Sequence, residues 1–577
     1  MIRFEPRTTT SATNVLALLA NALDDEYEAN IVAGAIAGAR EANATILCIT
    51  GGSIDDSAPE RAARNFVFDL VGSRNVSGIL VISSAVGSAL GPSRLRTWFE
   101  RYSGVPLVSI GIPIEGYPSV QVDNAFGARA AVTHLIRDHG KRRIAYIRGP
   151  RGSTEADIRV EAYRSALELE QIELDPRWIV DGDFTRPSGH RAVGTLFDER
   201  GVKPDSLDAI AAANDYMALA AIEELGKRGL RVPENLAVVG FDDVDSARLA
   251  RPALTTVRQP TEMLGRSAAR ALANKIAHRP VEESGLLPTE LVPRTSCGCS
   301  SSFALGVSLD VSQSAGRGLQ ASFVTRRQII VAEVARAARG RLGAAGAGWE
   351  TRLIDALLNE LRGVRASFIR EFEKVLRQVE RTRPDGDLIQ EVLSGLRLQS
   401  LPCVAEDPVA RDRMEEALHD ARVFASAFGS EAVASRTRHE RDRTHAFQRA
   451  LRAAMISSAT EVSKACAAAL PEFGIEACVV AALTKPGDVN SEARVVIGFG
   501  PGGKLATSEP IALDALPSHE LLERSGRTQM LLPILHRSQP LGAALISVVN
   551  LDAMFIEDLR DAFSTVLMVR SMKAGAG

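Results

Sequence analysis

Short apolar runs alternate with helix-like stretches along the first half of the chain. Such continuous apolar runs are typical of strands buried on both faces of a parallel sheet. Strands that alternate with helices predict an α/β fold with right-handed crossovers. The predicted strands are Asn14–Leu19, Ala44–Ile49, Gly78–Ile82, Val105–Ile110, Arg143–Ile147, Trp178–Val180, Ala209–Ala213 and Ala237–Phe241. The predicted helices are Asn30–Asn43, Asn65–Val71, Arg94–Tyr102, Gly127–Asp138, Ile158–Leu169, Gly189–Asp198, Asp215–Arg228 and Thr261–His278.

The pattern changes after a Ser- and Gly-rich stretch, Ser300–Gln320, which is interpreted as a linker or an extra edge strand. Apolar residues then recur every three or four positions from Leu353 to Val379, which predicts one long amphipathic helix. Further helices are predicted at Asp387–Arg397, Arg411–Phe428 and Arg436–Leu470. A helical bundle or a dimerising coiled segment accounts for this pattern.

Composition excludes several classes of protein. The 577 residues exceed one usual domain, and 45% hydrophobic with 24% charged residues are ordinary for a globular chain. A formal net charge of −3 provides no global basic field for nucleic acid. No apolar run approaches the ~20 residues of a membrane span. The short run Val15–Ala20 is interpreted as a first strand rather than a signal peptide, which predicts a cytoplasmic protein without membrane partners.

The six cysteines are too few and too scattered for a disulfide framework. Cys297-Gly-Cys299 is the only close pair. A zinc site needs about four ligands, and no second Cys or His pair lies near this one in the sequence. No metal site and no cofactor are therefore predicted.

Polar residues follow several predicted strands. Ligands bind in α/β sheets outside the carboxyl ends of the strands, so these residues are candidates for a binding site. Each has an alternative role as a helix N-cap. Asp215 fits capping well because its helix starts there, whereas Asn214 and Asp242 are expected to face a ligand. The residues concerned are Asp24, Asp25, Tyr27, Asn214, Asp215, Asp242 and Asp243.

Several motifs in a fixed order resemble the LacI-type regulators, from about Asn14 to Cys299. The resemblance implies a type I periplasmic-binding-protein-like module, in which two α/β lobes are joined by crossing strands and a ligand lies in the cleft. The motifs are VQVDN at 120–124, Gly127-Ala128, His134-Leu135, His139-Gly140, Arg143-Ile144, ANDYMA at 213–218, RVPEN at 231–235, VVGFDD at 238–243, PALTTVRQP at 252–260 and LVPRTSCGC at 291–299.

The resemblance also implies ligand-binding roles for Arg159, Asn214, Asp242 and Phe184. In the family these positions hold sugars, or less often purines or small metabolites. The chemistry agrees, because a carboxylate accepts from vicinal hydroxyls, Arg and Asn donate, and an aromatic ring covers an apolar sugar face. Two alternatives stay open: Arg159 as a solvated helix residue, and Phe184 as simple core packing. Tyr27 and Asp24, after the first strand, complete the predicted site.

The family's repressors carry a helix-turn-helix before the first strand. Here thirteen residues, Met1–Thr13, precede Asn14, which is too short for that motif. The resemblance therefore implies a sensor and does not by itself imply DNA binding.

The last part of the chain has an α+β pattern that resembles a GAF-like sensor module. This resemblance rests on order and pattern, with few signature residues, and implies either small-molecule binding or dimerisation through end helices. The predicted strands are Ala477–Leu483, Ala493–Phe499, Gln529–Leu535 and Gly542–Val549, and the closing helix is Ile556–Arg570. The predicted domains are 1–300, a linker at 301–320, a helical relay at 321–454 and a GAF-like domain at 455–577.

Together these features predict a ligand-sensing regulatory protein that is not an enzyme. A sugar-like effector, a homodimer and a downstream regulatory partner are the expected associations. Three alternatives stay open. One is a DNA-binding regulator that uses the basic stripe Arg436–Arg452, although Glu440 and Asp442 make a solvated helix face the simpler interpretation. The others are an exported solute receptor and an enzyme, for which no convergent acid, base or nucleophile set is visible.

Overall fold

The structure is a computed structural model that describes residues 14–23, 25–54, 56–88, 90–299, 318–338, 342, 346–379, 386–428, 459–500, 503–504, 509–518, 528–549 and 553–575. The chain forms two compact units, one of Met1–Cys299 with Ala446–Gly577 and one of Ser300–His445.

The strands are β1 Asn14–Ala20, β2 Ala44–Thr50, β3 Gly78–Ile82, β4 Leu107–Ile110, β5 Ser119–Val122, β6 Ile144–Arg148, β7 Ile179–Asp181, β8 Ala209–Ala212, β9 Ala237–Val239, β10 Thr256–Arg258, β11 Ser284–Leu287, β12 Glu290–Val292, β13 Ile475–Leu483, β14 Ala493–Gly500, β15 Gly503–Lys504, β16 Thr528–His536 and β17 Gln539–Val548. The α-helices are α1 Glu26–Glu41, α2 Pro59–Ala62, α3 Ser83–Val86, α4 Gly91–Phe99, α5 Asn124–Arg137, α6 Thr154–Leu169, α7 Arg186–Gly194, α8 Asp215–Lys227, α9 Asp245–Leu249, α10 Thr261–Ile276, α11 Leu319–Ala338, α12 Trp349–Leu361, α13 Ser367–Val379, α14 Gly386–Ser400, α15 at 408–428, α16 Ala459–Ala469 and α17 Ala553–Gly575.

The first lobe is built on parallel strands in the order β11-β5-β4-β3-β1-β2. Strands β1, β2 and β3 are buried almost throughout, as their continuous apolar sequences predict. Helices α1 and α10 approach backbone to backbone beside this sheet. A Cβ atom at Gly34 or Gly265 would lie 1.9 Å from a carbonyl oxygen of the other helix, so both positions require glycine.

The second lobe has its own parallel sheet, in the order β7-β6-β8-β9, and its own apolar core. Within the described residues the chain passes between the lobes three times: from β5 to α5, from β10 to α10, and from β11 to β12. This arrangement confirms the predicted two-lobed α/β fold of the type I periplasmic-binding-protein-like kind.

The C-terminal strands extend the sheet of the first lobe. Strand β16 pairs in parallel with β2, with Met530 opposite Cys48. Strands β17, β13, β14 and β15 follow in antiparallel order, so one mixed sheet of eleven strands results. Cys48 of the first lobe and Leu532 of the C-terminal part belong to one apolar core. The predicted GAF-like character of this part stays a prediction.

The second unit is helical in its described part, which contains α11 to α15 around a core that includes Phe323, Leu353 and Phe368. The prediction of one helix from 353 to 379 is wrong. Helix α12 ends at Leu361 and α13 begins at Ser367, and between them Gly363 and Ala366 have left-handed backbone conformations (φ 99° and 59°). The apolar period continues across the turn because both helices face the same core.

Two sequence features lie outside the described residues: most of the predicted linker at 301–320 and the whole of the basic stripe Arg436–Arg452. In the described part of the chain, no helix combines the length and the apolar character that a membrane crossing requires.

Candidate functional site

Buried polar side chains converge on Arg159, which lies on α6 and is 3% exposed. Its Nε donates to Asn124 Oδ1 at 2.8 Å, and its Nη1 donates to the carbonyl of Ala213 at 2.7 Å. Nη1 also lies 3.6 Å from Asp242 Oδ1. The interpretation of Arg159 as a solvated helix residue is therefore wrong.

Asp242 stands between the end of β9 and the crossing strand β10. Its φ of 121° is left-handed, which costs of order 1–3 kcal/mol for a residue with a side chain. Its backbone N–H donates to Val257, and Gln259 Nε2 donates to its Oδ1 at 2.6 Å. The strained backbone thus directs the carboxylate towards Arg159, and Gln259 on the crossing segment holds it there.

The structure gives the helix cap to Asn214, whereas the sequence favoured Asp215 for that role. Asn214 is the N-cap of α8, because its Oδ1 accepts from the N–H of Met217 at 3.0 Å, and its Nδ2 donates to the carbonyl of Phe184 at 2.9 Å. Asp215 does not cap. It is buried and accepts from Thr256 Oγ1 at 2.5 Å and from the N–H of Val244 at 3.1 Å. The ligand-binding role of Asn214 stays a prediction.

Phe184 packs and faces the site at once. Its side chain is half-buried and packs against the core of the second lobe. The ring lies against Gly149, and a Cβ atom at that glycine would come within 2.5 Å of the ring atoms. Its ring centroid is 6.0 Å from the guanidinium carbon of Arg159. Phe241, which the sequence reasoning did not select, is closer, at 3.8 Å. The two rings give the cluster an apolar wall.

The first lobe contributes Tyr27, whose hydroxyl is 3.0 Å from Ser84 Oγ. Burial raises the pKa of Tyr27 well above its usual range, and the charges of Glu155 and Asp242 act in the same direction. This interaction connects Tyr27 electrostatically to the acids of the second lobe. Asp24 lies outside the described residues.

Three functional candidates were missed by the sequence reasoning: Asn124, Glu155 and Gln259. Asn124 follows β5 and Gln259 follows β10, so the strand-end rule applies to both, but these strands of four and three residues were not recognised. Glu155 lies in the first turn of α6. Within the described structure, Glu155 Oε1 and Gln259 Oε1 are buried without a hydrogen-bond partner. Buried polar atoms are normally paired, so these acceptors indicate a place for a donor.

The cluster is rich in acids. Burial raises the pKa of Asp242 to about 7, although Arg159 and Gln259 oppose the shift. Burial also raises the pKa of Glu155, and it raises that of Asp215 well above the usual range, with the charge of Asp242 adding to the effect. Arg159 lies beside Asp242 and Glu155 and two of its nitrogen atoms are already engaged, so a ligand that donates hydrogen bonds fits this cluster better than an anion.

The two lobes touch directly at Glu26 of α1. Both of its carboxylate oxygens accept from the backbone N–H of Asp245, at 2.8 and 2.9 Å, in the second lobe. Burial raises the pKa of Glu26 to about 7. This contact is a direct hydrogen bond between the two lobes.

The pair Cys297 and Cys299 has two histidines beside it. His134 Nε2 lies 3.4 Å from Cys297 Sγ, and His139 Nε2 lies 3.3 Å from Cys299 Sγ. The premise that no histidine pair accompanies these cysteines is therefore wrong. It relied on distance along the sequence, whereas helix α5 and the end of the module meet in space.

Comparison with known proteins agrees with this geometry. The family described as "Periplasmic binding protein-like domain" matches residues 132–297. The HTH-type transcriptional regulator CelR of Thermobifida fusca is 40% identical over 228 residues, which are 39% of this chain and 64% of that protein. The HTH-type transcriptional repressor PurR of Klebsiella pneumoniae is 30% identical over 285 residues, which are 49% of this chain and 78% of that protein.

A solved structure described as a transcriptional regulator CelR–cellobiose complex is 34% identical, covers 49% of this chain and 85% of that chain, and gives a TM-score of 0.42. In the two sequence comparisons, the matched segments span a little under two thirds of CelR and more than three quarters of PurR. Through its two-lobed, periplasmic-binding-protein-like module, this chain belongs to the LacI-type family of regulators.

Proposed function

We propose that this protein is a ligand-sensing regulator that binds a neutral, hydroxyl-rich metabolite such as a sugar between its two lobes. The observation that carries the proposal is the buried Arg159–Asp242 pair with unpartnered acceptors on Glu155 and Gln259 beside it. Carboxylate and amide oxygens accept from hydroxyl groups, and Arg159 donates to ring or hydroxyl oxygens. The half-buried Phe184 supplies an apolar surface on which a sugar face packs, and Phe241 supports Arg159 from below.

The limited number of free donors argues against a phosphorylated ligand. Arg159 lies beside Asp242 and Glu155 and already contacts Asn124 and Ala213. A phosphate needs several free donors, and two of the nitrogen atoms of Arg159 are already engaged. We therefore expect neutral sugars to bind and their phosphates to be rejected.

Closure of the lobes is the proposed signal. A ligand that contacts both lobes favours the closed arrangement only by its difference in affinity for the open and closed states. The contact of Glu26 with Asp245 adds to the closed arrangement. Because β16 pairs with β2, a change in the first lobe has a direct connection to the C-terminal strands.

The proposed biological role rests on the similarity of this chain to CelR and PurR. CelR and PurR are both described as HTH-type transcriptional regulators, which supports a cytoplasmic, non-enzymatic role in transcriptional regulation. A homodimer and a downstream regulatory partner belong to the same proposal. The GAF-like part would act as a second sensor or as a dimerisation element.

The test is a thermal-shift screen of neutral sugars, sugar phosphates and purines on the full chain. A ligand at about 100 times its Kd stabilises the native state by about 2.7 kcal/mol, which is easily measured. We expect shifts with neutral sugars, none with the corresponding phosphates, and loss of the shift in Asp242→Ala. Shifts of equal size in wild type and Asp242→Ala would refute the assignment of the site.

Ligand affinity is expected to rise with pH up to about 7. Hydroxyl donors need an ionised Asp242, whose pKa in the free protein is about 7, so binding below that value releases a proton. The loss of affinity approaches about tenfold for each pH unit below the pKa. Calorimetric titrations in buffers of different protonation enthalpy measure the released proton. A flat profile in wild type, or affinity that rises towards acid pH, would contradict this prediction.

A further inference from the structure

Four potential metal ligands meet at the end of the ligand-binding module. His134 lies in the last turn of α5, His139 follows that helix, and Cys297 and Cys299 flank Gly298. Their ligand atoms all lie within 4.8 Å of one another. These four residues are not part of the ligand site, since none of the contacts described for Arg159 or Asp242 involves them.

The spacing agrees with tetrahedral coordination. His134 Nε2 is 3.4 Å from Cys297 Sγ and 3.5 Å from Cys299 Sγ, and His139 Nε2 is 3.3 Å from Cys299 Sγ. Zinc bonds of about 2.3 Å to sulfur and about 2.0 Å to nitrogen place neighbouring N and S ligands of a tetrahedron about 3.5 Å apart. The nitrogen and sulfur atoms are thus already at nearly the required separation.

The surroundings hold the ligands in place. Asp138 Oδ2 lies 2.6 Å from His134 Nδ1, which directs Nε2 of the same ring towards both sulfur atoms. A carboxylate on the second ring nitrogen is the usual support of a metal-bound histidine. Gly298 has a φ of 104°, and this left-handed turn brings the two thiols to the same side of the chain.

We propose that His134, His139, Cys297 and Cys299 bind one Zn²⁺ ion as a closed, structural Cys₂His₂ site. Two thiolates and two imidazoles satisfy the coordination number of zinc and leave no position for a substrate. The ion would fasten the last described residues of the module to the C-terminal end of α5. The same helix begins at Asn124, which holds Arg159, so the metal would stabilise the element that positions the ligand site.

Metal analysis of the full-length chain, purified without chelators, tests the proposal. We expect one zinc per chain in wild type and in the controls His278→Gln and Cys403→Ser, which alter an exposed histidine and a cysteine of the helical unit. We expect loss of at least nine tenths of the zinc in His139→Gln and Cys299→Ser, whose side chains are only partly buried. Circular dichroism checks that these variants fold.

A second readout uses the wild-type chain and needs no variant. After removal of zinc, added Co²⁺ should give a sulfur-to-cobalt charge-transfer band and the intense visible bands of tetrahedral cobalt. A chain that retains no zinc and shows neither band overturns the proposal. A Cys297–Cys299 disulfide also overturns it, if mass spectrometry without a further reduction step finds the disulfide in protein that was purified under reducing conditions.

Discussion

Replacing Arg159 by alanine is expected to abolish ligand binding and to destabilise the second lobe by about 3–5 kcal/mol, the usual penalty for removing one member of a buried ion pair. The guanidinium is almost fully buried and supports Asn124, Ala213 and Asp242. Chemical denaturation measures the loss. Arg164→Ala, on the exposed side of the same helix, is the matched control and should leave both properties nearly unchanged.

The Arg159→Ala deficit should also depend on pH. Without Arg159 the pKa of Asp242, already about 7, rises further in the folded state. A carboxyl group with a raised folded-state pKa stabilises the fold at low pH, and that contribution is lost as pH rises through the folded value. The difference from wild type should therefore be larger at about pH 8 than at about pH 6. A deficit that shrinks as pH rises would show that Asp242 is not the group left unpaired.

Truncating Leu531 to alanine is expected to destabilise the first lobe as well as the C-terminal part. Leu531 is fully buried on β16, opposite Ile49 of β2, and both belong to a core that includes Phe68 of the first lobe. A buried Leu→Ala change costs about 2–5 kcal/mol. Since the sheet is continuous, we expect one shared unfolding transition to shift. Intrinsic fluorescence and hydrogen exchange of β2 measure this shift.

Two results separate a continuous sheet from a loosely attached domain. In wild type, successive amides of residues 47–49 should all be protected, because β2 has neighbours on both sides. Exposed Val549→Ala, directly after β17, is the control and should not shift the transition. The continuous sheet would be contradicted if the β2 amides exchanged hydrogen as those of an edge strand do. A Leu531→Ala effect confined to residues after 446 would also contradict it.

Local patterns predicted the local structure well. Gly78–Ile82 is a strand with the predicted bounds, and the strands around it differ by a few residues. Strands β5, β10 and β11 were missed because each is short and lacks the continuous apolar run that marks the other strands of the first half. Pairing between β2 and β16 involves residues far apart in sequence, and no local pattern specifies such a partner.

In the candidate site, too, local motifs could be predicted from the sequence, whereas contacts between distant residues could not. Motif positions placed Arg159 and Asp242 together, and the structure joins them. Asn214 and Asp215 are adjacent polar residues at one strand end, so the sequence does not say which of them caps the helix and which accepts from Thr256. The pairing of His134 and His139 with Cys297 and Cys299 depends on how α5 packs, which spacing along the chain does not reveal.

Calorimetric titration of a neutral sugar identified by the screen tests the central claim most directly, with wild type compared with Asp242→Asn. The amide keeps the shape of Asp242 but removes the charge that accepts from hydroxyl groups and pairs with Arg159. Asp205→Asn, at an exposed position of the same lobe, is the control. We predict that Asp242→Asn weakens binding at least tenfold while Asp205→Asn binds like wild type. Equal affinity in all three proteins would place the ligand elsewhere.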